Sequence, residues 1–120
     1  MIRIAICDDE KHMSDHIRAM ASDFFRKKNR EIQLRTFLSG EDLLNYDGQI
    51  DILFLDIQMK GMDGLETARK LRADKFRGFL IFITVLKEMV FQSFEVQAYD
   101  YLVKPVDEKQ FGKTMERLYT

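Results

Sequence analysis

Residues 51–64 read DILFLDIQMKGMDG, and this stretch decides the fold. Residues 51–55 form a nearly continuous apolar run that stops at Asp56, and a glycine-rich turn follows. Uninterrupted apolar strands are typical of the centre of a parallel sheet, because helices cover both faces of the sheet there. The stretch therefore predicts a central strand with a carboxylate at its carboxyl end.

Strand and helix patterns alternate along the rest of the chain. Predicted strands cover residues 2–7, 31–37, 51–55, 79–83 and 101–103. Helical spacing of apolar residues follows each of them, at 13–24, at a short segment with Leu43 and Leu44 capped by Ser39, at 65–71, around 87–95, and from the N-cap candidate Asp107 onward. Such alternation indicates parallel βαβ units.

The burial expected of each strand sets its place in the sheet. Strands 2–7, 51–55 and 79–83 are apolar throughout and belong at the centre, whereas 31–37 alternates and 101–103 ends in polar residues. This assignment fits an α/β, flavodoxin-like (βα)5 fold with strand order 2-1-3-4-5 and helices on both faces. A chain of 120 residues suits one domain, so we expect residues 1–120 to form a single unit.

Composition and charge exclude several classes of protein. The net charge is −1, which is poorly suited to binding nucleic acid or an anionic membrane directly. The basic cluster at residues 26–30 is better explained as a helix end that complements the helix dipole. Cys7 is the single cysteine, no signal-peptide pattern is present, and the longest apolar stretch, 79–86, is far shorter than the roughly 20 residues that span a bilayer. We therefore expect a cytoplasmic protein.

Polar residues follow the strands at their carboxyl ends, where open parallel sheets bind ligands. These residues are Asp8 and Asp9 after the first strand, Asp56 after the third, Thr84 after the fourth and Lys104 after the fifth. Three carboxylates and one ammonium carry a charge of about −2, which a divalent cation would neutralise. Oxygen ligands favour Mg²⁺, and zinc would require His or Cys. The pocket therefore suits phosphoryl transfer, with Asp56 as the candidate nucleophile opposite Thr84 and Lys104.

The sequence resembles a response-regulator receiver domain over essentially its whole length. The matching motifs are Asp8-Asp9, Asp56 within Leu55-Asp56-Ile57-Gln58-Met59, Met62-Asp63-Gly64, Thr84, and Tyr101-Leu102-Val103-Lys104-Pro105. The resemblance implies that Asp9, Asp56 and the Gln58 backbone carbonyl bind Mg²⁺ directly and that Asp8 acts mainly through water. It further implies that Lys104 contacts the phosphoryl group, that a sensor histidine kinase supplies this group from a phosphohistidine, and that the Lys104–Pro105 bond is cis.

The resemblance also implies a switch and an output. Thr84 would hydrogen-bond the phosphoryl group and Tyr101 would rotate inward, although a half-buried edge-strand aromatic is the simpler interpretation of Tyr101 on its own. Residues 94–102 resemble the LytR/AlgR-type regulators, whose receivers usually precede a LytTR DNA-binding domain. We therefore expect DNA binding only through an output domain outside these residues, and a possible receiver homodimer on activation. The chain is either an excised or a stand-alone receiver.

Two residues depart from the family pattern. Lys60 stands where proline is usual, and Val85 stands after Thr84 where alanine or glycine is usual. The stiff, branched side chain of Val85 would act as an access gate if it points to the mouth of the pocket. If it instead points into the helix layer, it would be an ordinary core residue.

Two other functions compete with this interpretation. A magnesium-dependent aspartyl-phosphate hydrolase of the haloacid dehalogenase type needs an acid two residues after the nucleophile, where this chain has Gln58. A pseudo-receiver would keep the fold as a binding module without phosphorylation, but the full acidic set argues against it. His12 and His16 lie one helical turn apart and could form a metal pair, yet no third ligand completes such a site, so exposed histidines are expected.

Overall fold

The computed structural model describes residues 1–85 and 95–119. The strands are β1 (Ile2–Cys7), β2 (Ile32–Phe37), β3 (Ile52–Asp56), β4 (Phe79–Thr84) and β5 (Asp100–Val103). The helices are α1 (Lys11–Lys27), α2 (Gly40–Leu44), α3 (Gly64–Ala73) and α4 (Glu108–Tyr119). The helix expected around residues 87–95 lies, except for its last residue, outside the described residues.

The strands form one parallel sheet in the order β2-β1-β3-β4-β5. The predicted order is therefore confirmed, with the alternating strand β2 and the short strand β5 at the edges. All five residues of β3 are buried, and Asp56 is its last residue rather than the first residue of the following loop. This position fixes the Asp56 backbone in the sheet, opposite Ile83 of β4.

Two apolar layers cover the two faces of the sheet. Because side chains alternate across a strand, Ile4 and Ile6 of β1 face one layer while Ala5 and Cys7 face the other. The first layer contains α1 and α4, whose Phe111 stacks on Phe54 of β3 with ring centroids 5.6 Å apart. The second layer contains α2 and α3. Helices thus pack on both faces, as the fold class predicts.

Side-chain caps define where three of the helices begin. Ser39 Oγ accepts a hydrogen bond from the Asp42 amide at 3.0 Å, and Asp107 Oδ1 accepts one from the Gln110 amide at 2.7 Å. Both caps were expected from the sequence. Asp63 caps α3 in the same way through the Glu66 amide at 2.9 Å, which the sequence analysis did not predict.

Arg72 joins α3 to the chain that leads into β5. Its guanidinium donates to four backbone carbonyls, those of Phe76 (2.9 Å), Gly78 (3.1 Å), Val96 (2.7 Å) and Gln97 (2.9 Å). Burial lowers the pKa of Arg72 from its ordinary value. These hydrogen bonds hold together the segments that lead into β4 and β5, at the amino-terminal ends of the strands.

Candidate functional site

Lys104 lies among carboxylates at the carboxyl edge of the sheet. Its ammonium nitrogen is 3.3 Å from Asp8 Oδ2, 3.3 Å from Asp56 Oδ2 and 3.9 Å from Glu10 Oε1. Asp8 directly follows β1, Asp56 is the last residue of the neighbouring strand β3, and Lys104 directly follows β5. The structure thus brings together Asp8, Asp56 and Lys104, three of the residues that the sequence placed at the strand ends.

Backbone amides orient the three aspartates. Asp56 Oδ1 accepts a hydrogen bond from the Gln58 amide at 3.2 Å, and Asp8 Oδ1 accepts one from the Glu10 amide at 2.9 Å. Asp9 Oδ2 accepts one from the Lys60 amide at 3.0 Å, which joins the loop after β1 to the loop after β3. The carboxylates are therefore held in place by the chain itself.

Crowding and burial change the protonation of the site. The Asp56 side chain is 2% exposed. Its burial and the nearby charge of Asp8 raise the pKa of Asp56 from 3.8 to about 7, although Lys104 and the Gln58 amide act in the opposite direction. Burial lowers the pKa of Lys104, but the charges of Asp56 and Asp8 outweigh it, so this pKa lies above its ordinary value.

The donor atoms fit a hard divalent cation. One carboxylate oxygen from each of Asp8, Asp9 and Glu10 lies within 4.8 Å of the others. Asp8 is wholly buried, and among the described residues its Oδ2 is the buried side-chain atom without a hydrogen bond, although Lys104 is close to it. An oxygen-only set with a surplus of negative charge suits Mg²⁺ better than zinc.

The two candidate switch residues lie on neighbouring strands. Thr84 ends β4 and is buried, and its carbonyl accepts a hydrogen bond from the Lys104 amide at 2.8 Å. Tyr101 lies on β5 opposite Phe82, with 38% of its surface exposed. Its side chain is therefore turned at least partly to solvent in this structure.

Val85 is 53% exposed, so the interpretation of this residue as part of the core is wrong. Core packing requires the side chain to be turned into the helix layer, and half of its surface is not. The alternative, an access gate for Asp56, remains a prediction, because exposure alone does not place the side chain over the pocket.

Other expectations concern residues around the site. The Lys104–Pro105 peptide bond is cis, as the resemblance led us to expect. His12 and His16 are both exposed, as expected. His16 Nε2 lies 2.7 Å from the Val106 carbonyl oxygen, within hydrogen-bonding distance of the backbone. Cys7 is buried, and burial together with the charge of Asp8 raises its pKa to about 12, so the thiol stays protonated.

Comparison with known proteins identifies the family. The response regulator receiver domain family matches residues 4–116, which is nearly the whole chain. The chain belongs to this family.

The curated relatives of this receiver are longer regulators. It is 34% identical over 125 residues to the transcriptional regulatory protein BtsR of Escherichia coli K12 and 29% identical over 119 residues to the sensory transduction protein LytT of Bacillus subtilis. Each match covers 98% of this chain and 48% of the relative. The chain thus spans about half the length of these relatives, and the LytT match agrees with the subfamily suggested by residues 94–102.

Solved structures agree with the fold. The receiver of DrrB, a Thermotoga maritima response regulator, solved in a BeF3-activated form, is 26% identical, with a TM-score of 0.84 over 99% of this chain and 97% of that one.

Receiver domains are regulatory domains, so the hydrolase alternative is set aside. Among the described residues, no helix has the length and apolar character needed to cross a membrane.

The sequence analysis missed Glu10 as a member of this receiver's site. Glu10 directly follows the acidic pair, and this adjacency was the available signal. With Asp9, Gln58 and Lys60, Glu10 also lines an open cleft of about 1000 Å³ beside the aspartates.

Proposed function

We propose that this receiver accepts a phosphoryl group on Asp56 in a Mg²⁺-dependent reaction, and that the donor is a phosphohistidine of a sensor histidine kinase. The observation that carries the proposal is the position of Lys104, 3.3 Å from both Asp8 and Asp56 at the carboxyl edge of the sheet. A buried carboxylate can act as the nucleophile, and the ammonium beside it would balance part of the negative charge of the phosphorylated product. Family membership supports the same reaction, since response regulators receive phosphoryl groups from histidine kinases.

The chemistry assigns a role to each residue. A carboxylate oxygen of Asp56 attacks phosphorus, the nitrogen–phosphorus bond of the donor breaks, and the imidazole leaves with the electron pair. Lys104 stabilises the charge on the phosphoryl oxygens. Asp9, Asp56 and the Gln58 carbonyl would hold Mg²⁺ directly and Asp8 through water. The ion, when bound, would neutralise charge on both the nucleophile and the phosphoryl group.

Reversal of the signal follows from the same site. Attack of water on phosphorus would release inorganic phosphate and restore the Asp56 carboxylate. The domain would therefore assist only its own phosphorylation and dephosphorylation, and would not turn over added phosphoesters. Val85, with its exposed side chain next to Thr84, is proposed to restrict the approach of both donor and water.

Mass spectrometry after incubation with acetyl phosphate tests this function. We expect one phosphoryl adduct on Asp56 that requires Mg²⁺ and is absent after chelation or in Asp56→Asn. Asp47→Asn, an exposed aspartate in the loop before β3, is the matched control and should be labelled normally. Labelling of Asp56→Asn would refute the assignment. Absence of both labelling and Mg²⁺-dependent beryllofluoride binding in the wild type would favour the pseudo-receiver.

The proposed output is control of transcription. Phosphorylation would bring the Thr84 hydroxyl to the phosphoryl group and turn Tyr101 inward, which changes the surface formed by β5. The names of BtsR and LytT, a transcriptional regulatory protein and a sensory transduction protein, support an output of the LytTR DNA-binding type joined to this receiver. We further propose that residues 1–120 form one domain and that two activated receivers associate as a homodimer.

A further inference from the structure

Glu10 occupies the helix-capping position but does not cap. It is the N-cap residue of α1, and its side chain makes no capping hydrogen bond. Its Oε1 instead lies 3.9 Å from Lys104 Nζ, with the side chain 70% exposed. The carboxylate is therefore placed at the mouth of the phosphorylation site, on the solvent side of Lys104.

A second observation shows that the charge there is unbalanced. Asp8 is wholly buried, lies beside the same ammonium, and leaves its Oδ2 without a hydrogen bond. Lys104 is thus shared by a buried carboxylate on one side and an exposed one on the other. With Asp56, three carboxylates lie within 3.9 Å of one ammonium, a formal charge of about −2, and Asp9 adds a further negative charge next to Asp8 and Glu10. Each further negative charge near the mouth attracts a cation and repels an anion.

We propose that Glu10 determines the specificity of this site by acting in opposite directions on its two ligands. Its charge strengthens the binding of Mg²⁺ to the neighbouring aspartates. The same charge weakens the binding of a phosphoryl-like anion, because it repels the anion and competes with it for Lys104. The inference rests on the proposed function and adds Glu10, which lies outside the motifs quoted above for the resemblance.

The consequence concerns the class of phosphodonor. A small free anion such as acetyl phosphate meets the full repulsion of Glu10. A phosphohistidine carried by a docked protein partner offsets that repulsion through contacts elsewhere on the surface. Glu10 would therefore favour the protein donor over free small-molecule donors, which limits phosphorylation that no signal has triggered.

The test compares Glu10→Gln with the wild type and with Glu31→Gln, an exposed glutamate next to β2 at the opposite edge of the sheet. Calorimetric titration gives the Kd for Mg²⁺ alone. A second titration, at Mg²⁺ concentrations that saturate each protein, gives the Kd for beryllofluoride. Because the Glu10 carboxylate is exposed and acts partly through solvent, we expect changes of about two- to fivefold in each constant. Both should shrink in high salt.

In Glu10→Gln, Mg²⁺ should bind more weakly and beryllofluoride more tightly, whereas Glu31→Gln should match the wild type. Opposite signs separate a charge effect from structural damage, which would weaken both ligands. Two constants that move in the same direction, or a variant that matches the control, would overturn the proposal. A wild type that binds Mg²⁺ but no beryllofluoride would refute the phosphorylation proposal and the anion effect of Glu10. The Mg²⁺ titration would still decide the cation effect.

Discussion

The charge of Asp56 should destabilise the metal-free receiver, and removing it should make the protein more stable. In Asp56→Asn the side chain keeps its shape and loses its charge, while Asp8 remains beside Lys104 at 3.3 Å. In EDTA the wild type must instead hold an ionised Asp56 in a buried position near Asp8. We therefore expect Asp56→Asn to raise the free energy of unfolding above that of the wild type at pH 8.

The magnitude and the pH window follow from the two pKa values of Asp56. The folded state has a pKa of about 7 and the ordinary value is 3.8. Between these values the folded protein keeps a proton that the unfolded chain has lost, so the free energy of unfolding falls as pH rises. The contribution of protonated Asp56 is complete below about pH 4 and lost above about pH 7. Each pH unit corresponds to about 1.4 kcal/mol, which sets an upper limit of about 4 kcal/mol. Solvent at the open cleft reduces this to about 1–3 kcal/mol.

Urea unfolding in EDTA at several pH values between 4 and 8 measures this effect. The difference between Asp56→Asn and wild type should be small at pH 4, grow up to about pH 7 and stay constant above it. Asp47→Asn, the exposed control, should show no such trend. A difference that does not depend on pH, or a variant less stable than wild type at pH 8, would show that the carboxylates are not crowded.

Three further predictions concern Asp9, Val85 and Arg72. Asp9→Ala should lose most of the rise in melting temperature that Mg²⁺ gives the wild type, and an undiminished rise would remove Asp9 from the metal site. Val85→Ala should speed labelling by acetyl phosphate and shorten the phosphoryl lifetime, with stability within about 0.5 kcal/mol because the side chain is exposed; unchanged rates would exclude the gate. Arg72→Lys should lower the free energy of unfolding in urea by about 2–3 kcal/mol, since one ammonium cannot serve four carbonyls. The control Arg77→Lys should leave it almost unchanged, because Arg77 is exposed. Equal costs would contradict the role of Arg72.

The sequence predicted which residues meet at the carboxyl ends of the strands because parallel topology restricts where strand ends can lie. Once β1, β3 and β5 are recognised as parallel strands of one sheet, Asp8, Asp56 and Lys104 must emerge at the same edge. Apolar continuity correctly placed β3 at the centre for a related reason, since a strand covered by helices on both faces is mostly apolar along its length. These predictions concern the path of the backbone, and the periodicity of apolar residues indicates where its strands and helices lie.

The features that were missed depend on individual side chains. Arg72 binds carbonyls from two segments that are distant in sequence, and no spacing rule indicates such partners. Glu10 could have capped α1, and only the fold shows that its carboxylate turns towards Lys104. The orientation of Val85 could not be read either, because it follows the last residue of β4, where the alternation of a strand no longer applies.

The proposed switch requires more free energy than a single hydrogen bond at Thr84 supplies. The backbone amide of Lys104 donates to the Thr84 carbonyl at 2.8 Å, and its side chain would exchange the Asp56 carboxylate for a phosphoryl group in the proposed reaction. In the proposed switch, the change at Tyr101 would begin with the Thr84 side chain. A hydrogen bond to a charged group contributes about 1.5–3 kcal/mol, whereas a shift from 1:99 to 99:1 requires about 5.5 kcal/mol. The remainder must come from the new partner of Lys104 and from repacking around Tyr101, or from a bound partner. If none of these contributes, the phosphorylated receiver will populate both orientations of Tyr101.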